Sequence, residues 1–299
     1  KFEILLSTSE SFVASIFELL LCDITPLEPF VHESKPFEGQ KSAASNILEK
    51  CKGSKLTHEA FSRYENFHLE RELNIQDRYS IRCSPQVLGV IHDNLAIAKK
   101  WIETEINGVN DNPLIDHIGK KIYTSGNFYG GYVAHAMDTM RICVGNLADL
   151  LDKEFALLVD HKFNKGLGES LKLNSKSTHH GFKAMQITLS SLTADVILNT
   201  VPASLHSRPT ESLNQDKVSM GTTAALHFAK QLPDLTNMLS IALLGMAQAV
   251  DLRGRKNCSP FLQKNYDLIR AEVTKLTHDR RMDIDIKVVN KMLRDGHFR

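Results

Sequence analysis

Cysteine is scarce in this chain. The five that occur (Cys22, Cys51, Cys83, Cys143 and Cys258) are odd in number and irregularly spaced, with no CxxC pair and no histidine at zinc-finger distance. That pattern excludes a disulfide framework and a zinc module, and the expectation is of reduced, mostly structural thiols in a cytosolic, cytoplasmic protein with no metal. A surplus of either charge is missing as well, since 36 basic residues stand against 35 acidic ones, a formal net charge of +1. Nucleic acid, whose phosphates a partner must neutralise, is therefore not expected. Long apolar runs are lacking too. The longest candidate, "IFELLLC", carries a glutamate and falls short of the roughly 18 residues needed to span a bilayer, so a soluble chain with no membrane partner is expected. The opening "KFEILLSTSESFVASIFELLL" has neither a basic n-region nor a cleavage site and enters helical periodicity at once, as a chain cut from something longer would. Internal repeats, low-complexity tracts and linkers are also absent, and the 299 residues read as one mostly helical unit over 1–299.

What is present is the helical period. Ser84-Pro85 offers an N-cap followed by proline at the first helical position. Apolar residues then fall at Val87, Ile91, Leu95, Ala98, Ile102 and Ile106, a helix of about six turns. A second helix is marked by Val133, Met137, Met140, Val144, Leu147, Leu151, Phe155 and Leu158, and a third by Met185, Leu189, Leu192 and Val196. A fourth covers about Leu232 to Leu252, where "MLSIALLGMAQAVDL" is apolar nearly all round. Such a helix belongs in the middle of a bundle, and burying it within one elongated chain is difficult, which predicts an oligomer, a tetramer first. "KKIYTSGNF" reads as a short hairpin arm, and the segment from Ser259 as exposed amphipathic helices. The fold class is all-α, a helical bundle with a few short hairpin strands.

Three irregular segments between the helices are where chemistry would lie. In "NIQDRYSIRCSPQ", Arg82 sits just ahead of a helix start whose unpaired N–H groups already make the potential positive. A carboxylate would relieve that arrangement, held by the bidentate fork of Arg82 and the helix start. The plainer reading pairs Arg82 with Asp77 or Glu72 on the surface and makes Tyr79 a packed aromatic. In the second segment Asn112 precedes Pro113, which holds it extended with its amide pointing away from the backbone. "SGNFYGG" then sets Gly126, Gly130 and Gly131 around Asn127, Phe128 and Tyr129, so that backbone can approach a ligand beside an aromatic face. A turn and a tight connection are the structural alternatives. The third, "SLNQDKVSMGTTAA", places polar groups before the small-residue start of another helix, which capping alone would explain.

Taken in order, "QDRYSIRCSPQVLG", "NDNPL", "SGNFYGGYVAHAMD" and "NQDKVSMG" resemble the C-terminal two-thirds of the aromatic amino acid lyases, that is, histidine, phenylalanine and tyrosine ammonia-lyases and the related aminomutases. "EPFVHESKPFEGQKSAASN" and "LLGMAQAVDLRG" are similar to family segments as well. The resemblance implies an elongated helical bundle of the L-aspartase-like type, assembled as a homotetramer with sites shared by three chains. It implies ammonia elimination from an aromatic amino acid by a methylidene-imidazolone, formed when an Ala-Ser-Gly tripeptide cyclises. By the same resemblance Arg82 and Asn112 hold the substrate carboxylate, Tyr79 and Gln76 lie near the electrophile, Phe128 packs beside the prosthetic group, and Gln215 lies by the substrate's amino group and side chain. Histidine lyases carry glutamate where Gln215 stands, so phenylalanine, tyrosine or an aminomutase suits it better. Two departures accompany the match. No Ala-Ser-Gly occurs in the chain, so the prosthetic group would come from an N-terminal lyase part on the same or another chain. Ser7-Thr8-Ser9 stands where the family has Asn-Gly-Thr, which puts Ser7 in place of an asparagine that contacts the prosthetic group. A lyase and a lyase-fold oligomer without chemistry both remain open.

Overall fold

The computed structural model describes residues 1–59, 76–174 and 178–298. Ten helices follow in chain order: α1 (Phe2–Leu19), α2 (Pro29–Glu33), α3 (Glu38–Cys51), α4 (Tyr79–Arg82), α5 (Ser84–Ile106), α6 (Gly131–Val159), α7 (Lys183–Leu198), α8 (Gly221–Arg253), α9 (Pro260–Glu272) and α10 (Asp283–Arg294). One antiparallel hairpin, β1 (Leu114–Asp116) with β2 (Lys121–Tyr123), lies between α5 and α6 in the register Leu114 to Tyr123, Ile115 to Ile122 and Asp116 to Lys121. The helical bundle with a short hairpin expected from the periodicity is what forms.

The centre of the bundle is α8, a helix of 33 residues packed by α1, α6, α7 and α10. Contrary to the expectation of no long apolar run, it is apolar enough to cross a membrane by length and composition, but its most apolar stretch is 83% buried inside the protein. The helix starts at Gly221 and runs straight through Pro233, so the apolar run from Leu232 and the small-residue helix start at Gly221 are one element. From Leu235 to Val250 all but Asn237 is buried by the chain's own helices. This helix therefore requires no partner chain to bury it: a single copy covers it. Left-handed backbone marks both ends, Met220 (φ 61) before the first turn and Gly254 (φ 88) after the last, the second being a conformation that glycine adopts without steric cost.

Although α1 is buried on nearly every face, it carries five hydroxyl side chains. Its buried hydroxyls each donate to a carbonyl one turn back. Thr8, Ser9 and Ser15 each donate to the carbonyl four residues earlier at 2.8 Å, and Ser11 Oγ is 3.0 Å from the Ser7 carbonyl and 2.8 Å from that of Phe298. At its end buried Glu18 accepts from the backbone N–H (2.6 Å) and hydroxyl (2.7 Å) of Ser259, whose own Oγ accepts from Leu262 N–H (3.1 Å) and caps α9. The start of α5 differs from the sequence reading. Cys83 is the N-cap, without a side-chain bond, and Ser84 is the first helical residue, its hydroxyl donating back to Ile81 O at 2.7 Å.

Candidate active site

Arg82 closes the single turn α4, one residue before the N-cap of α5, and its side chain opens into a concavity of about 640 Å³ lined by Gln76, Asp77, Arg78, Tyr79, Arg82, Lys162, Phe163 and Lys165. The expected surface pair between Arg82 and Asp77 does not form. Asp77 Oδ2 accepts from the backbone N–H of Asp23 (2.9 Å) and Oδ1 faces Lys165 Nζ (3.5 Å). Glu72, the other suggested partner, lies outside the described residues. Arg82 instead lies over the ring of Tyr79, with its guanidinium carbon 4.7 Å from the centroid, and its Nε is buried without a hydrogen-bond partner. Tyr79 is 73% exposed, so it is not the packed aromatic of the plainer reading. Gln76 is exposed on the same rim.

Asn112, Phe128 and Gln215 line a second concavity, of about 870 Å³, together with Asp111, Ser125, Tyr129, Lys217 and their neighbours. The amide of Asn112 does not simply point away. Its Oδ1 accepts from Ser125 N–H at 2.6 Å, across a cis bond to Pro113, which leaves only the amide nitrogen to donate to a ligand. Asn127 Nδ2 adds a bond to Val109 O at 3.2 Å, so the strands leading into and out of the hairpin are laced together. Gln215 is tied in the same way, its Oε1 accepting from Thr210 Oγ1 at 3.0 Å while the two backbones bridge, and it too presents its nitrogen. Phe128 is 60% exposed at the mouth. The glycines serve packing more than ligand approach. A Cβ on Gly131 would meet the Tyr129 ring at 2.9 Å and one on Gly221 would meet Gly130 O at 3.2 Å, whereas Gly126 has nothing within 4 Å.

The two concavities are far apart on one chain. Phe163, beside Arg82, follows the C-terminus of α6, whereas Phe128 precedes its N-terminus. Between them run 29 residues of helix, about 43 Å at 1.5 Å per residue. Ser7 joins neither group. It is half-buried on α1 between Glu3, which pairs with Lys99, and Glu10, which pairs with His92, placing it alongside the middle of α5. Within one copy, then, the structure brings together Gln76, Tyr79 and Arg82 on one side and Asn112, Phe128 and Gln215 on the other. Sequence reasoning overlooked Arg78, Lys162, Phe163 and Lys165, because the last three follow α6, far along the chain from Arg82, and carry no local motif.

All five cysteines are free thiols. Burial pushes Cys143 up to about 11 and Cys258 up to about 12, so neither supplies a thiolate at neutral pH. Among the described residues no group of three His, Cys, Asp or Glu side chains is placed to hold a metal ion.

The family model of the aromatic amino acid lyases matches residues 1–271. The chain belongs to the aromatic amino acid lyase family. It is 35% identical to a hal-like protein of Dictyostelium discoideum over 306 aligned residues, 99% of this chain and 57% of that one. It is 34% identical to the histidine ammonia-lyase of Treponema denticola over 284 residues, 95% of this chain and 54% of the relative. The crystal structure of tyrosine aminomutase from Streptomyces globisporus superposes with a TM-score of 0.93 at 31% identity, covering 99% of this chain and 58% of that one. The chain thus spans about half the length of the curated relatives it matches.

Proposed function

We propose that this chain is the carboxylate-binding part of an aromatic amino acid ammonia-lyase, and that its sites are completed by residues of further copies and of an N-terminal lyase part. One observation carries the reading. Arg82 has a buried Nε without a partner, lies over the ring of an exposed tyrosine, and among the described residues does not pair with Asp77, which is engaged by Asp23 and Lys165. A guanidinium placed so is matched by an external carboxylate better than by any of the described residues. Asn112 and Gln215, with their oxygens engaged and their amide nitrogens left to donate, are suited to carboxylate and polar substrate atoms in the same way. Since about 43 Å of helix separates them from Arg82, they would serve an Arg82 on another copy, in a homotetramer.

The residues that the resemblance gives to the prosthetic group, Ser7 and Phe128, form no cradle within one copy. The methylidene-imidazolone would supply an electrophile for the departing amino group, and no step is assigned to it on this chain. What the chain itself does is bind and orient: Arg82 anchors the carboxylate, Tyr79 holds the guanidinium plane, and Phe128 offers an apolar face.

In the complete enzyme Arg82→Ala should lower kcat/KM by about one to two orders of magnitude, mostly through KM. Arg82→Lys should recover only part of that, because a point charge does not reproduce the planar fork. Wild-type kinetics for Arg82→Ala would reject the reading. The second reading, a lyase-fold oligomer without chemistry, is favoured by Ser7, whose short hydroxyl cannot replace a carboxamide. A Ser7→Asn variant that raises turnover from zero would support it.

A further inference from the structure

The concavity around Arg82 holds more positive charge than one carboxylate uses. Among the described residues four cations line it (Arg78, Arg82, Lys162 and Lys165) against a single acid, Asp77. Asp77 is taken up by Lys165 and the Asp23 backbone, and Lys165 also donates to Leu21 O at 2.9 Å. Arg78, Arg82 and Lys162 therefore have no acidic partner among the described residues. Two of these three are held in place: the guanidinium carbon of Arg78 lies 4.8 Å from the Phe163 centroid and that of Arg82 4.7 Å from the Tyr79 centroid. Stacking on an aromatic face fixes the plane of a guanidinium while leaving its N–H edge to donate. Like charges grouped at one depression repel until counter-charge arrives, and low-dielectric walls focus their field into the opening. A lone carboxylate on Arg82 would leave Arg78 and Lys162 unmatched.

We propose that this concavity binds a small oxyanion group bearing two negative charges, of the phosphate or sulfate class, between Arg78, Arg82 and Lys162. The proposal shares Arg82 with the carboxylate reading and needs nothing else from it. A dianion seated there neutralises two cations at once and competes with any monocarboxylate for Arg82, which makes it an inhibitor or effector of the same opening. Its source is either the free ion or the phosphoryl group of a larger molecule.

The test is calorimetric titration of the 299-residue protein with sulfate, phenyl phosphate and acetate at constant ionic strength. Sulfate should bind at least about tenfold tighter than acetate. Arg78→Ala and Lys162→Ala, at exposed positions, should each weaken sulfate about tenfold and leave acetate within about twofold, while Arg82→Ala weakens both. Phenyl phosphate tighter than sulfate would point to a phosphorylated ligand and equal affinity to the free ion, either result supporting the dianion site. Equal affinity for sulfate and acetate, or sulfate affinity untouched in both Arg78→Ala and Lys162→Ala, would overturn it. Sulfate binding as described with no acetate binding would support the dianion site and count against the carboxylate reading alone.

Discussion

Glu154 of α6 is fully buried, and neither of its carboxyl oxygens is hydrogen-bonded. Burial pushes its carboxyl well above the ordinary value of 4.5. A raised carboxyl means that the folded state holds the proton more tightly than the unfolded chain does. The associated stability is full below pH 4.5 and is lost as pH rises from there through the folded value. Glu154→Gln removes the titration and keeps the shape. It should stabilise the protein by about 1–3 kcal/mol at neutral pH, and the gain should vanish in acid. Denaturant midpoints at both pH values check this, and an equal gain at both would show that charge is not the cause. At this scale the sequence was informative wherever a residue acts with its chain neighbours. Arg82 could be singled out from its position before a helix, whereas Gly131, read as room for a ligand, is crowded by the Tyr129 ring. Glu154 could not be singled out, since its place in "LLDKEFALL" looks like any surface glutamate and only the packing of α6 shows that it is buried.

At the scale of elements, α3 and α5 cross where two glycines meet. A Cβ on Gly39 would lie 2.2 Å from Gly89 O, and one on Gly89 2.5 Å from the Cα and N of Gln40. Both obstacles are backbone, which has no rotamer to change, so the helices would have to separate. Gly89→Ala should therefore cost about 1–3 kcal/mol and lower the melting temperature by several degrees, despite alanine's better helix propensity. Gly126→Ala, with open space around it, should stay within about 0.5 kcal/mol and is the control. Paired thermal melts decide, and a neutral Gly89→Ala would mean that the crossing is looser than it looks. Helices α5, α6 and α7 and the hairpin were legible because periodicity and turn residues are local signals. The extent of α8 was not. Pro233 resembles a helix start, yet the helix runs through it from Gly221 to Arg253, with Pro233 on its exposed side. The Ser84 cap was misplaced by one residue because the turn α4 in front of α5 supplies the carbonyl that the serine hydroxyl uses.

For the molecule as a whole, family membership could be read from motif order, but the geometry of the site could not. The motifs at 107–131 and 212–225 share one concavity while that at 76–82 lies at the other end of α6, and nothing in their spacing reveals this division. The case for an oligomer accordingly moves from α8, which one chain covers, to the surface. Val109, Ile115, Ile118 and Ile122 are exposed about the hairpin, and Leu198, Val201 and Leu205 at and beyond the end of α7. Apolar side chains gathered in this way mark contact surfaces. Sedimentation at micromolar concentration should return a tetramer, and replacing Ile115, Ile118 and Ile122 with lysine should shift it toward smaller species. A well-folded monomer would reject the assembly and, with it, the shared site.

The separation of Arg82 from Asn112 by the full length of α6 has a genetic consequence. If each working centre draws these two residues from different copies, a defect in one need not travel with a defect in the other. At substrate well below KM, complete enzymes carrying Arg82→Ala alone and Asn112→Ala alone should both lose most of their activity. Refolded together in equal amounts, they should complement, because about a quarter of the centres would receive an intact arginine from one parent and an intact asparagine from the other. Activity near that fraction in the mixture, and none from a chain bearing both substitutions, is the expected result. A mixture as inactive as its parents would mean that each chain keeps its own pair.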